Sequence, residues 1–164
     1  MSERRNGLLA ATIVGGIALD QASKILAERW LLPTDLHTYL GGIFRIQMVR
    51  NRGAFLSLGA TLPEHLRQTL LIWGVGLFLV GLTVWIFRSK SATPTSRWCM
   101  AAVASGGLAN LIDRIRFDGG VLDFLNVGIG GLRTGIFNIA DMYITFAVIW
   151  LLVDSFRTKK PQHS

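Results

Sequence analysis

The sequence is poor in the residues on which much protein chemistry relies. Cys99 is its single cysteine, which rules out an intramolecular disulfide and any multi-cysteine metal site. In so apolar a chain it reads as a small buried residue rather than a reactive thiol. The histidines, His37, His65 and His163, stand far apart and none belongs to an H-E-x-x-H pair, so a zinc protease is disfavoured. A G-x-S-x-G elbow is missing too, which removes the usual serine-hydrolase reading. Charge is scarce, with only 16% of residues being Asp, Glu, Lys or Arg. The net charge of +7 is scattered between apolar runs and forms no basic stripe, so nucleic acid is not expected as a partner.

What the chain has instead is hydrophobicity. With 51% hydrophobic residues and a mean hydropathy of +0.43, its 164 residues are too apolar for an ordinary soluble domain of this size. Apolar segments cover about 8–27, 70–87, 98–112 and 139–153. A helix needs about 20 residues to cross about 30 Å of hydrocarbon, and tilt or local thinning absorbs a modest shortfall. The expected fold is an all-α polytopic membrane protein, a single membrane-embedded domain over 1–164 with four transmembrane helices. The 98–112 segment, short and rich in small residues, is the least typical of them. Arg4 and Arg5 ahead of the first segment are reminiscent of an export signal. Asp20 and Lys24 lie where such a signal is apolar, however, so the segment reads as a retained span.

An even number of spans puts both termini on one side. Arg4 and Arg5, then Arg88, Lys90 and Arg97, then Arg157, Lys159 and Lys160 mark that side as cytoplasmic. The outer connections then run about 28–69 and 113–138, although Arg45, Arg50, Arg114 and Arg133 within them weaken the charge bias. The first is too long for a simple tether. Phe44, Ile46 and Met48 alternate there with Arg45 and Gln47 behind Gly41-Gly42, the period of a half-buried strand after a turn. A small extracytoplasmic β-sheet platform resting on the membrane is therefore expected. The run Asn51-Arg52-Gly53-Ala54-Phe55 closes the strand and reads as a turn with Asn and Gly at positive φ.

Two acids break the apolar pattern informatively. Asp123 lies in Val121-Leu122-Asp123-Phe124, and Asp141 opens the last apolar run. An ionisable group in hydrocarbon costs several kcal/mol, roughly 3 on insertion scales, so it is normally paired or working. An apolar neighbourhood and a second carboxylate each raise a carboxyl pKa, so a close pair can share one proton near neutrality. Amide hydrolysis by water needs that state. The ionised group takes a proton from water, while its protonated partner polarises the carbonyl and then protonates the departing amine. Neither a metal nor a cofactor is required. Asn110 and Arg114, four residues apart on one helix face, present an amide and a guanidinium suited to peptide carbonyls or a carboxylate. The plainer alternative is that Arg114 pairs with Asp113 or reaches the interface. Asp20 and Lys24, also four apart, read as a mutually neutralising pair.

Taken in order, Asp20-Gln21-Ala22-Ser23-Lys24, Asn51-Arg52-Gly53-Ala54-Phe55, Gly107-Leu108-Ala109-Asn110-Leu111-Ile112-Asp113-Arg114, Val121-Leu122-Asp123-Phe124 and Phe137-Asn138-Ile139-Ala140-Asp141 resemble the motif set of the lipoprotein signal peptidases, or signal peptidase II, over nearly the whole chain. The resemblance implies an aspartyl endopeptidase of the bacterial inner membrane, with its site near the periplasmic face. Such an enzyme removes signal peptides from prolipoproteins by cutting just before a diacylglyceryl-modified cysteine. Asp123 and Asp141 match the catalytic pair, and Asn51, Asn110, Arg114 and Asn138 match polar residues lining the substrate cleft. Asp20 and Asp113 match supporting positions, which Lys24 joins as the partner of Asp20. The expected partners are lipidated prolipoproteins and membrane phospholipid, with the enzyme acting as a monomer. The chain departs from the family pattern at Gly135 and Ile136, where many members carry a proline, and at Met142, where a small residue is frequent. Two non-enzymatic readings compete: a transporter subunit whose Asp20, Asp123 and Asp141 relay protons, and a lipid-binding scaffold. The relay gives Asn51, Asn110 and Asn138 nothing to do.

Overall fold

The structure, a computed structural model, describes residues 2–53 and 63–158, so Ala54 and Phe55 of the second motif, Asn51–Phe55, lie outside the described residues. Helix α1 (Ser2–Trp30) is followed by the first two small strands and then by α2 (Glu64–Gln68), a π turn (Thr69–Gly74) and α3 (Val75–Arg88), which run on as one helix. Helix α4 (Pro94–Arg116) starts on Thr93, whose hydroxyl accepts the Ser96 N–H at 3.1 Å. Pro94 fits the first turn because its missing N–H would have had no intrahelical partner there. Helix α5 (Ile139–Thr158) completes the chain's described part.

Three of these helices, Glu3–Trp30, Glu64–Arg88 and Ile139–Arg157, are long and apolar enough to cross a membrane. The sequence suggested four. Helix α4 falls outside that group because Arg97, Asn110, Asp113 and Arg114 lower its hydropathy, yet all four side chains are buried. It packs against α1, α3 and α5 and turns its polar groups into protein, the arrangement under which ionisable groups are tolerated at membrane depth. Its neighbours do the reverse, presenting apolar side chains outward: Trp73 is 75% exposed and Leu77 77%. Leu9, Ile13, Ile86, Ala101 and Ala104 form a buried cluster between α1, α3 and α4. Small residues set the helix spacing. A Cβ on Gly106 would come within 2.5 Å of the Ala140 carbonyl oxygen, and one on Gly107 within 2.6 Å of Leu79 Cδ2, the close approach that Gly permits between membrane helices.

Strands β1 (His37–Tyr39), β2 (Phe44–Asn51), β3 (Val121–Ile129) and β4 (Leu132–Arg133) form an antiparallel sheet in that order. Between β1 and β2, Leu40, Gly41 and Gly42 take φ of 53°, 66° and 88°, values that glycine reaches without a Cβ clash and leucine does not. Burial along β2 does not alternate as the sequence suggests, because Phe44 to Met48 are all half-buried. A bulge between Ile46 and Val49 shifts the phase and sets Val49 opposite Asp123 and Asn51 opposite Val121. The reversal after β2 also differs from expectation, since neither Asn51 nor Gly53 is among the residues at positive φ. It is an Asx turn in which Asn51 Oδ1 accepts the Gly53 N–H at 2.9 Å.

Candidate active site

Asp141 is placed by the way α5 begins. Asn138, just ahead of the helix, accepts the Asp141 N–H on its Oδ1 at 3.0 Å, and Asp141 Oδ2 accepts the Asn138 N–H at 3.2 Å. This reciprocal exchange has the form of a capping box, with Asn and Asp in place of Ser and Glu. A carboxylate in the first turn also faces the positive end of the helix dipole. Helix start and carboxylate position are therefore one piece of local structure.

Asp123 comes from β3 and is 2% exposed. Its Oδ1 accepts from Asn138 Nδ2 at 2.7 Å and its Oδ2 from Asn51 Nδ2 at 3.1 Å. Burial, and after it the charge of Asp141, pushes the Asp123 carboxyl up to about 7, against the opposing pull of the Asn51 and Asn138 amides and of Lys24. At neutral pH it stands near the balance between proton-bearing and ionised forms.

Behind the two carboxylates lies a buried polar layer. Asn110 Nδ2 donates to Asp141 Oδ1 at 3.0 Å, and Asn110 Oδ1 accepts from Asn138 Nδ2 at 3.0 Å and from Lys24 Nζ at 3.1 Å. Lys24 makes ion pairs with Asp20 at 2.7 Å and with Asp113 at 2.9 Å, so the pair suggested by the sequence is a triad. Asp20 Oδ1 also accepts the Ala140 N–H at 2.9 Å, tying α1 to the start of α5. Asp113 accepts the Leu122 N–H at 3.0 Å, which anchors β3 beside Asp123. Arg114 does not pair with Asp113. It donates to the carbonyls of Asn110 and Gly53, each at 3.4 Å, and its Nε is buried without a hydrogen-bond partner. Asp113 and Arg114, placed by the sequence in the outer connection, belong to the last turns of α4.

A cavity of about 330 Å³ opens onto this constellation. Asn51, Asn110, Arg114, Asp123 and Asp141 line it, and Asn138, fully buried, supports both carboxylates from beneath. Asp20, Lys24 and Asp113 form the layer below and do not reach the cavity wall. The rest of the wall, including Val121, Ile136, Phe137, Met142, Thr145 and Phe146, is largely apolar; the sequence assigned none of these to a site, Val121 and Phe137 standing there only within motifs and Ile136 and Met142 only as departures from the family pattern. Strand and helix periodicity would have found part of it, since Val121 precedes Asp123 by two and Thr145 follows Asp141 by four. Gln21 was also missed. Its Nε2 donates to Asp113 Oδ1 at 2.9 Å and helps fix the acid that anchors β3. Among the described residues, no group of three or more His, Cys, Asp or Glu is placed to hold a metal ion.

The family model described as "Signal peptidase (SPase) II" matches residues 12–157. The lipoprotein signal peptidase of Treponema denticola is 36% identical over 142 residues, covering 84% of this chain and 82% of that protein. That of Treponema pallidum is 36% identical over 160 residues, with 93% and 84% covered. The Geobacter sulfurreducens protein of the same name is 34% identical over 150 residues, with 92% of each chain covered. A bacterial membrane enzyme solved by the in meso method at 2.3 Å resolution superposes with a TM-score of 0.80 over 96% of this chain and 94% of its own, at 23% identity, a likeness of fold. The match from 12 to 157 takes in both aspartates and every residue bonded to them, and on that extent the chain belongs to the signal peptidase II family.

Proposed function

We propose that this peptidase is an aspartic endopeptidase that removes signal peptides from lipoprotein precursors, with Asp123 and Asp141 as its catalytic pair. The observation that carries the proposal is that two carboxylates from different elements meet at one cavity, share Asn138 as a hydrogen-bond donor, and include one held near 7. Asp123 carries the proton and donates to the scissile carbonyl oxygen. Asp141, ionised, takes a proton from the attacking water, and as the tetrahedral intermediate collapses Asp123 gives its own proton to the departing amine, leaving Asp141 protonated and Asp123 ionised until they exchange a proton through water. Asn51 and Arg114, on the cavity wall, hold the extended peptide by hydrogen bonds without competing as bases.

Helix α4 serves as the fourth span, its polar face covered by its neighbours. Both termini lie in the cytoplasm and the aspartates near the periplasmic face of the inner membrane, in keeping with the Lys and Arg of the short connections. The substrate is cut just before a diacylglyceryl-modified cysteine. Each buried acyl CH₂ contributes about 0.8 kcal/mol, so the lipid fixes the scissile bond at one depth while few side-chain contacts are needed. The test is cleavage of one prolipoprotein before and after lipid attachment to its cysteine, in the same detergent and at equal concentration. Rapid release of the signal peptide from the lipidated form alone is expected, and equal rates would refute lipid-gated recognition.

A further inference from the structure

Three asparagines aim an amide at the aspartate pair, and each is oriented by a partner that can only donate. Asn51 donates to Asp123 while its Oδ1 accepts the backbone N–H of Gly53. Asn138 donates to Asp123 while its Oδ1 accepts the backbone N–H of Asp141. Asn110 donates to Asp141 while its Oδ1 accepts from the Lys24 ammonium. The two ends of an asparagine amide are nearly alike in shape, so its hydrogen-bond partners decide which end faces where. Flipping any of the three would set N–H against a donor and a carbonyl against a carboxylate. For Asn51 and Asn138 the orienting donor is main chain. For Asn110 it is the tip of a side chain reaching across from α1.

The ammonium is committed to this task. Lys24 is 1% exposed, and its Nζ meets Asp20 at 2.7 Å, Asp113 at 2.9 Å and Asn110 Oδ1 at 3.1 Å, one acceptor for each of its three hydrogens. Two acids would suffice to satisfy a buried cation, yet the third hydrogen points toward the site. Asn138 Nδ2 also reaches Asn110 Oδ1 at 3.0 Å, but it bonds Asp123 and approaches the Leu122 carbonyl at 3.4 Å as well. The charged donor is the stronger of the two. We propose that Lys24 is a positioning residue of the reaction: by donating to Asn110 Oδ1 it holds that amide with its N–H toward Asp141. The role rests on Asp123 and Asp141 being the catalytic pair.

Lys24→Met alone would strand Asp20 and Asp113 without a counter-charge, so the informative variant is Lys24→Met/Asp20→Asn/Asp113→Asn. Like Asp113→Asn alone it leaves the triad with no net charge, and it removes the donor to Asn110. Compared with Asp113→Asn alone, the triple variant should keep its KM for lipidated prolipoprotein and lose about 10²-fold in kcat, the usual consequence of a misplaced reacting group. Equal kcat in the two variants would overturn the proposal. A second readout needs neither turnover nor a variant. In wild-type protein labelled with ¹⁵N at asparagine, the side-chain amide protons of Asn110 should exchange as slowly as those of Asn51 and Asn138. Exchange at the rate of an exposed asparagine would refute the lock. Slow exchange in a protein that cuts no prolipoprotein would leave the lock standing and sink the assigned activity instead.

Discussion

Asp123 is costlier to bury charged than neutral, and that asymmetry has two measurable sides. Its carboxyl moves from an ordinary 3.8 to about 7 on folding. A raised carboxyl pKa contributes stability that is complete below the unfolded value and disappears as pH rises through the folded one. Relative to Asp123→Asn, which cannot ionise, the wild type should therefore lose roughly 2–4 kcal/mol between pH 4 and pH 8. Denaturant unfolding of both proteins across that range in one detergent measures the difference, and a constant gap would contradict the burial argument. The kinetic side follows the same group. Because the proposed mechanism uses the proton-bearing form as the acid, kcat/KM should fall as pH rises through about 7, with the pair titrating as a unit. Asp123→Asn and Asp141→Asn should each lower cleavage by roughly 10³-fold or more with the fold retained, and near-normal turnover in either would remove the pair from the mechanism.

Helices α4 and α5 meet where Gly106 lies against the Ala140 carbonyl, and this contact sets the distance between Asn110 on one and Asp141 on the other. Gly106→Ala drives a methyl into backbone that cannot rotate aside. It should destabilise the protein by about 1–3 kcal/mol and lower cleavage as the 3.0 Å bond from Asn110 to Asp141 opens. Gly81→Ala, with nothing within 4 Å of the added Cβ, should change neither melting temperature nor rate. Identical behaviour of the two variants would mean that helix spacing does not govern the site. Elements differ in how far the sequence discloses them. Apolar runs announced α1, α3 and α5, since lipid-facing and core-facing residues are both hydrophobic. Helix α4 was harder because its buried face is polar, and hydropathy cannot tell a polar face turned inward from one in water. The bulge in β2 was invisible because its cause is pairing with β3, some 70 residues away in sequence. The aspartates and asparagines were legible as motifs. The third bond of Lys24, to a residue 86 positions distant, was not, because i,i+4 spacing points only to Asp20.

At the scale of the molecule, the chain is a membrane bundle with a four-stranded sheet at one end, the end that carries Asp123. A reporter active only in the periplasm should be active when inserted within 31–64 and silent when fused after Arg88 or Ser164. The inverse pattern would put the aspartates on the cytoplasmic side, where no exported precursor presents its cleavage site. The reciprocal bonds between Asn138 and Asp141 carry a further consequence for how such an enzyme comes into being. Synthesis and insertion run from the N-terminus, so Lys24, Asn51, Asn110 and Asp123 have been made while the last helix is still to come. On the proposed mechanism there is no base until α5 has wound its first turn, so an unfinished chain could cut no signal peptide. Proteolytic competence would then arrive with the final helix, which makes completion of the bundle its own activation event.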